Sequence, residues 1–338
     1  MKHAKLFSIL VFTAAALYGA IGFYCLPLAG FEGDLTRMYK LPETLFGWTK
    51  PRPAVDPGLI RQAAWQDADV LVVGDSFSAS WIWQTALTRE GLRVRTEHWG
   101  SIRAICEDFA QSIRDRGFRG KYVILQIIER NVEEGLATSA ACKKMEYHSS
   151  ADTDNPRGSP ATSVDRGIKD YSGRLSVGIQ VWLNVLEYDL RGNGPAGAKM
   201  ERLPDGCSLF SHARCNDVLF LGNDRVQDLG EDSLANMETI NARFDGLVPI
   251  WVIVPDKSTA YLHPDKHFWD KAERSFHAPN LLETFRQAIR DKIVDLYPAN
   301  NTHLSTTGYL LMGDAIYRSI PDDEQKLTAA AEAGHPGP

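Results

Sequence analysis

Val70-Leu71-Val72-Val73-Gly74-Asp75-Ser76-Phe77-Ser78 decides how this chain is read. The run is short and apolar, the composition of a buried strand, and it breaks at Gly74 straight into Asp75 and Ser76. A serine at the C-terminal lip of a central strand lies where open α/β sheets build their sites, and a glycine lets the backbone turn sharply there. Ser76 therefore occupies a nucleophile position, with Asp75 beside it as a further candidate catalytic residue. The plainer reading of the same turn is a helix start, with Asp75 or Ser76 capping a helix that runs through Trp81 and Trp83. A serine hydroxyl attacks well only when a base removes its proton. The base available is His303 in Asn300-Asn301-Thr302-His303-Leu304-Ser305, ahead of Gly308 and a helical run. Ser76 with His303 points to a serine acyl-transfer enzyme.

The start of the chain bears on its compartment. Lys2 and Lys5 precede an apolar run from Leu6 to Tyr24, and the next charges, Glu32 and Asp34, are acidic. The run is long enough for a hydrocarbon core, and its positive flank keeps the N-terminus in the cytoplasm while the rest crosses. An uncleaved inner-membrane anchor with the remainder in the periplasm is expected. The alternative is a cleaved signal peptide and a soluble periplasmic protein. Cys25 lacks the small preceding residue that a lipid-attachment site requires, so it is read as part of the membrane segment.

Of the 338 residues, 44% are hydrophobic and the formal charge is -6 at pH 7. The exported part is long enough for one large α/β domain. No Lys/Arg stripe is present to neutralise phosphates, which disfavours nucleic acid as a partner. Cys106, Cys142, Cys207 and Cys215 follow the anchor, and an even number in an oxidising compartment permits two disulfides. The closely spaced Cys207 and Cys215 would close a loop easily, which leaves Cys106 with Cys142. The connectivity stays open, and free buried thiols are the other reading. His263 and His267 are four apart but straddle Pro264 without an HExxH frame, so no metal or cofactor is called for.

Residues 1–30 are read as the anchor or signal segment and 31–66, rich in Pro, Gly and Trp, as a lead-in. Strand Val70–Val73, a helix from about Ala79 to Arg89, strand Arg93–Glu97, a helix from about Arg103 to Arg116 and strand Tyr122–Ile128 then alternate. Such alternation implies βαβ units and a parallel sheet. The pattern is lost over about 132–226, read as an irregular insertion with an amphipathic stretch near Val177–Leu190. It returns at Pro249–Val254, followed by helices at Leu281–Arg290 and Thr306–Ser319. The tail, 321–338, is expected to be disordered. The fold class is thus α/β, one domain over 67–320 around a central parallel sheet.

Gly74–Ser78 with the His303 segment resembles the SGNH/GDSL hydrolase superfamily, whose nucleophile follows the first strand and whose histidine lies near the C-terminus. Val254-Pro255-Asp256-Lys257-Ser258-Thr259-Ala260-Tyr261 resembles the PDK-x-x-x-Y segment of the alginate O-acetyltransferase (AlgX/AlgJ-like) group, and Glu129-Arg130 resembles its strand-end pair. The likeness covers roughly 67–131 and 247–320. In that group the histidine segment precedes the serine segment, the reverse of the order here. The resemblance implies an SGNH-like three-layer α/β/α domain and a periplasmic O-acetyltransferase. It would move an acetyl group through a Ser76 acyl-enzyme onto an exopolysaccharide of alginate or cellulose type, the acetyl donor being supplied by a membrane acyltransferase. The alternatives are an acetylesterase using the same site, or a non-catalytic polysaccharide-binding scaffold.

The group carries an Asp two residues before the histidine and the wider superfamily one three before; this chain has Asn301 and Asn300. A charged partner stabilises the imidazolium formed during attack, whereas an Asn carbonyl only orients the ring. Asn301 is the candidate third member, with Asp295, Asp256 or Asp265 as carboxylates from elsewhere in the chain. The oxyanion would be held by the Ser76 N–H with a second donor. Gly100, in the loop after Arg93–Glu97, is one choice; Asn131 or Arg130, where the superfamily places an Asn donor, is another. A plain turn for Gly100 and a structural ion pair for Glu129-Arg130 are the competing readings. Arg130, Lys257 and Tyr261 are candidate substrate contacts. Trp81, Trp83 and Trp99 lie near the serine in sequence, and indole faces stack on sugar rings as readily as they fill cores. Trp81 and Trp83 cannot share one side of a helix, and Trp81 is the candidate for the sugar.

Overall fold

The computed structural model describes residues 2–147, 171–192, 194, 195, 197–276 and 278–321. The tail expected beyond residue 321 and the part of the insertion at 148–170 lie outside the described residues. Six strands are present among these residues: β1 (Val70–Gly74), β2 (Val94–His98), β3 (Tyr122–Ile128), β4 (Lys199–Arg202), β5 (Asp217–Phe220) and β6 (Val248–Val254). The chain divides into two units. One comprises 51–160, 223–296 and 303–338, the other 1–50, 161–222 and 297–302.

The first unit is built on a parallel sheet of order β2-β1-β3-β6, with Val70 opposite both Val94 and Tyr122, and Tyr122 opposite Val248. Successive strand residues point to opposite faces. Leu71, Val73, Val123, Leu125, Trp251 and Ile253 form one core with Phe109, Ile113, Met237, Ile240, Trp269 and Leu282. Val70, Val72, Ile124, Ile250 and Val252, on the other face, are equally buried. Burial on both faces is why these strands read as unbroken apolar runs. β3 and the helices Leu281–Arg290 and Thr306–Ser319 occupy the expected residues. The helix expected from Ala79 is shorter, Thr85–Arg89, because the chain first passes through a series of turns and Trp81 takes a left-handed φ of 56°. The next helix likewise begins late, at Phe109, after Arg103 at φ 62°.

The second unit holds the apolar helix Lys2–Cys25, a 3-10 turn Leu26–Ala29, the helix Tyr171–Arg191 and the antiparallel pair β4–β5. Leu35, Leu41, Phe46, Tyr188 and Leu219 form its core. The stretch read as an irregular insertion is therefore ordered over much of its length, with Val132–Ala141 also helical. Its strands are only four residues long, and β4 is half-exposed or exposed throughout, too short for a period to show. The apolar stretch His3–Ala29 has a mean hydropathy of 2.0 and the length to cross a membrane.

Cys106 is bonded to Cys142 and Cys207 to Cys215, while Cys25 is buried with a free thiol. The first bridge closes the longer loop, with a separation of 36 residues, and a loop of that size is worth roughly 3–4 kcal/mol through the unfolded chain. Replacing Cys106 and Cys142 together by Ser is expected to lower Tm by several degrees, measured by circular dichroism; an unchanged Tm would show that the bridge contributes nothing.

Candidate active site

The chain leaves β1 for β2 on one side and then crosses to β3 on the other. The C-terminal end of β1 is thus where the sheet order reverses, the place where open parallel sheets form a crevice. Gly74 ends that strand because no side chain fits: an added Cβ would lie 2.3 Å from Ser78 Oγ. The turn beyond it is braced by Gln126, fully buried in β3. Gln126 Oε1 accepts from the Asp75 N–H at 3.0 Å and from Ser78 Oγ at 2.7 Å, and its Nε2 donates to Asp75 Oδ1 at 2.9 Å. Asp75 also accepts from the N–H groups of Phe77 (2.9 Å) and Ile128 (2.7 Å). Trp83 Nε1 donates to Ser78 Oγ at 3.1 Å, and Trp99 Nε1 to the Gln126 carbonyl at 2.7 Å. Asp75 is thereby a clamp between the ends of β1 and β3. Ser76 stands exposed at the crest of this turn, and its N–H meets no acceptor among the described residues.

His303 arrives just ahead of the helix Thr306–Ser319, whose cap Ser305 accepts from the Gly308 N–H at 3.2 Å. The approach of that helix is set by glycines. A Cβ at Gly308 would lie 2.6 Å from the Leu296 carbonyl, and one at Gly313 would lie 2.3 Å from the Trp83 carbonyl. The imidazole packs on Phe77, with ring centroids 4.8 Å apart, and Tyr309 meets Phe77 edge-on at 6.2 Å. The result is Ser76 Oγ 2.8 Å from His303 Nε2, the reach a general base needs, with the ring proton on Nδ1 when Nε2 accepts.

The residues before His303 belong to the unit that holds the N-terminal helix. Asn300 donates to Glu43 Oε2 at 2.7 Å and accepts from the Leu35 N–H at 3.0 Å. Asn301 is buried, and its N–H donates to the Pro298 carbonyl at 3.1 Å. Thr302 donates its N–H to Asp34 Oδ1 at 2.8 Å and its hydroxyl to Asp34 Oδ2. Asp34 thus holds Thr302 within their shared unit, a contact that sequence reasoning missed because the two lie 268 positions apart. Of the other carboxylates considered, Asp256 is engaged by Arg130, Asp265 is exposed and Asp295 is buried.

The remaining candidates sit as follows. Gly100 lies in the short helix Trp99–Ile102, and its N–H donates to His98 Nδ1 at 2.9 Å. Asn131 is exposed, and its side chain makes no hydrogen bond among the described residues. Glu129 and Arg130 do not pair with each other. Glu129 pairs with Lys266 and accepts from the Asp256 N–H at 2.9 Å, while Arg130 pairs with Asp256 and lies 3.6 Å from Asp224. Lys266 further donates to Thr259 Oγ1 (2.8 Å) and the Arg225 carbonyl (2.9 Å). Lys257 is buried and Tyr261 half-buried, at the two ends of the short helix that follows β6. Trp81, almost fully buried, borders a surface hollow with Trp65 and Arg95. Burial pushes the Glu129 carboxyl up against the opposing pull of Lys266. Burial, then the charge of Asp224, raises Asp256 to about 7 against Arg130. Among the described residues no group of three or more His, Cys, Asp or Glu could hold a metal ion. No protein-family model, no curated protein and no solved structure matches the chain.

Replacing Gln126 by Leu leaves the Asp75 N–H and the Ser78 hydroxyl without their buried acceptor, and is expected to cost ~3 kcal/mol in urea unfolding; no loss would show that the brace is dispensable. A carboxyl raised in the folded state contributes stability that is present below its ordinary value of 3.8 and lost as the pH rises through about 7. The Asp224→Asn protein should therefore lose less stability than the parent between about pH 4 and pH 7, with parallel pH–stability curves excluding the repulsion.

Proposed function

We propose that this chain is a periplasmic O-acetyltransferase of SGNH-like fold, which carries an acetyl group on Ser76 and passes it to a hydroxyl of an exopolysaccharide. The observation that carries the reading is the 2.8 Å contact between Ser76 Oγ and His303 Nε2 at the C-terminal edge of the sheet. His303 takes the Ser76 proton as Oγ bonds the acetyl carbonyl carbon, and returns it to the departing group of the donor. In the second half-reaction His303 deprotonates the acceptor hydroxyl, which attacks the acyl-serine, and Ser76 regains the proton. The Ser76 N–H is the first donor for the oxyanion in both steps. Gly100, once its N–H is released by His98, and the exposed side chain of Asn131 are the candidates for the second.

The acetyl and polysaccharide parts of this reading rest on the resemblance of the residue segments. The compartment is supported by the two disulfides and by the apolar N-terminal helix. An uncleaved anchor is supported by Cys25 and Ala29, which are 1% and 7% exposed and so packed into the fold. The exposure of Ser76 favours a second reading, an acetylesterase in which water replaces the sugar hydroxyl.

Full-length protein incubated with an activated acetyl ester should turn it over and gain an acetyl group on the Ser76 peptide. Ser76→Ala and His303→Ala should each lose about a thousandfold or more. Acetylated oligosaccharide in the products selects the transferase, and acetate alone the esterase. Undiminished turnover in Ser76→Ala would remove the acyl-enzyme altogether.

A further inference from the structure

Leu175, Ile179, Trp182, Leu183, Leu186 and Leu190 fall on one stripe of the helix Tyr171–Arg191. The opposite face turns into its own unit: Val181 is fully buried, Asn184 donates to the carbonyls of Tyr39 and Lys40, and the Tyr188 hydroxyl bonds Asp217. The beginning of the stripe is covered by the N-terminal apolar helix. Leu175 fills the space at Gly22, where an added Cβ would lie 3.1 Å away, and Gly178 is pressed against Cys25, whose carbonyl would be 2.4 Å from such a Cβ. Beyond that contact the stripe emerges uncovered. Trp182 is 38% exposed, Leu183 46%, Leu186 39% and Leu190 85%.

We infer that this stripe is a membrane-binding surface, seated in the outer interface of the bilayer beside the anchor. The N-terminal helix has 24 residues, and at 1.5 Å each it is about 36 Å long, more than the ~30 Å of a hydrocarbon core. Its last turn and the 3-10 turn Leu26–Ala29 therefore stand at the interface, and the long helix packs beside both. Phe23 and Tyr24, at that level of the anchor, are 65% and 82% exposed, so the anchor also presents apolar and aromatic surface where the stripe begins. Tryptophan among leucines is the composition that the interfacial layer selects. The inference rests on the reading of the N-terminal helix as an uncleaved anchor.

The test uses full-length protein in lipid nanodiscs made with acyl-brominated phospholipid, which quenches indole emission at short range. The emission of Trp182, obtained as wild type minus Trp182→Phe, should be lost in the brominated discs and retained in unbrominated ones. Intact mass of the same samples reports whether the N-terminal helix is present. A chain lacking that helix overturns the anchor and this inference with it. An intact chain whose Trp182 emission survives bromination overturns the inference alone. A disulfide-linked dimer formed in the discs by Leu183→Cys or Leu186→Cys would also overturn it, by assigning the stripe to a second copy.

Discussion

A side-chain amide enclosed in a parallel sheet is costly unless each of its polar atoms is used, because no water reaches it. Gln126 meets that condition by bonding the turn that presents Ser76. The cost of leaving the amide unmatched makes the turn rigid: any movement of Asp75 or Ser78 strands a buried donor or acceptor. Asp75 repeats the arrangement in the opposite sense, carrying the clamp from the turn to the backbone of β3. The serine is held by what lies beneath it, and its own N–H and hydroxyl are left for other partners.

The ends of β3 and β6 are joined by charges in place of amides. Two cations, Arg130 and Lys266, meet three carboxylates, Glu129, Asp224 and Asp256, all largely withdrawn from solvent. Burying such pairs adds little net stability, since desolvation consumes most of the attraction, but removing one member leaves a stranded charge. Their effect is to fix where the segment after β6 runs. The same edge of the sheet thus has a clamp of one amide and one carboxyl group under the serine and an ionic brace at the ends of β3 and β6 beside it.

Local patterns were enough to read β1, β3 and the two C-terminal helices, because buried strands are continuous apolar runs and Ser305 caps its helix through adjacent residues. Ser76 and His303 were legible by residue type and by their place after a strand and before a helix. Gln126, Asp34 and Lys266 were not. Each acts through a partner distant in the chain, and only Gln126, as the one polar residue in Tyr122–Ile128, left a local mark. The helix Tyr171–Arg191 was sensed only as an amphipathic stretch. Its apolar residues cover two faces, one turned to its own core and one to the outside, and this blurs the single-face period.

The hydrogen bonds from Thr302 to Asp34 and from Asn300 to Glu43 join segments more than 250 positions apart. The turn at Ser76 draws only on β1 and β3, whereas the segment that carries His303 closes only when the last part of the chain returns to its first. Such long closures form late in folding, because the loop entropy must be overcome before the contact is gained. Residues 297–302 are thus held by contacts that need almost the whole chain, whereas the turn at Ser76 needs nothing beyond residue 128. The Ser76–His303 contact therefore cannot form until nearly the whole chain has been made.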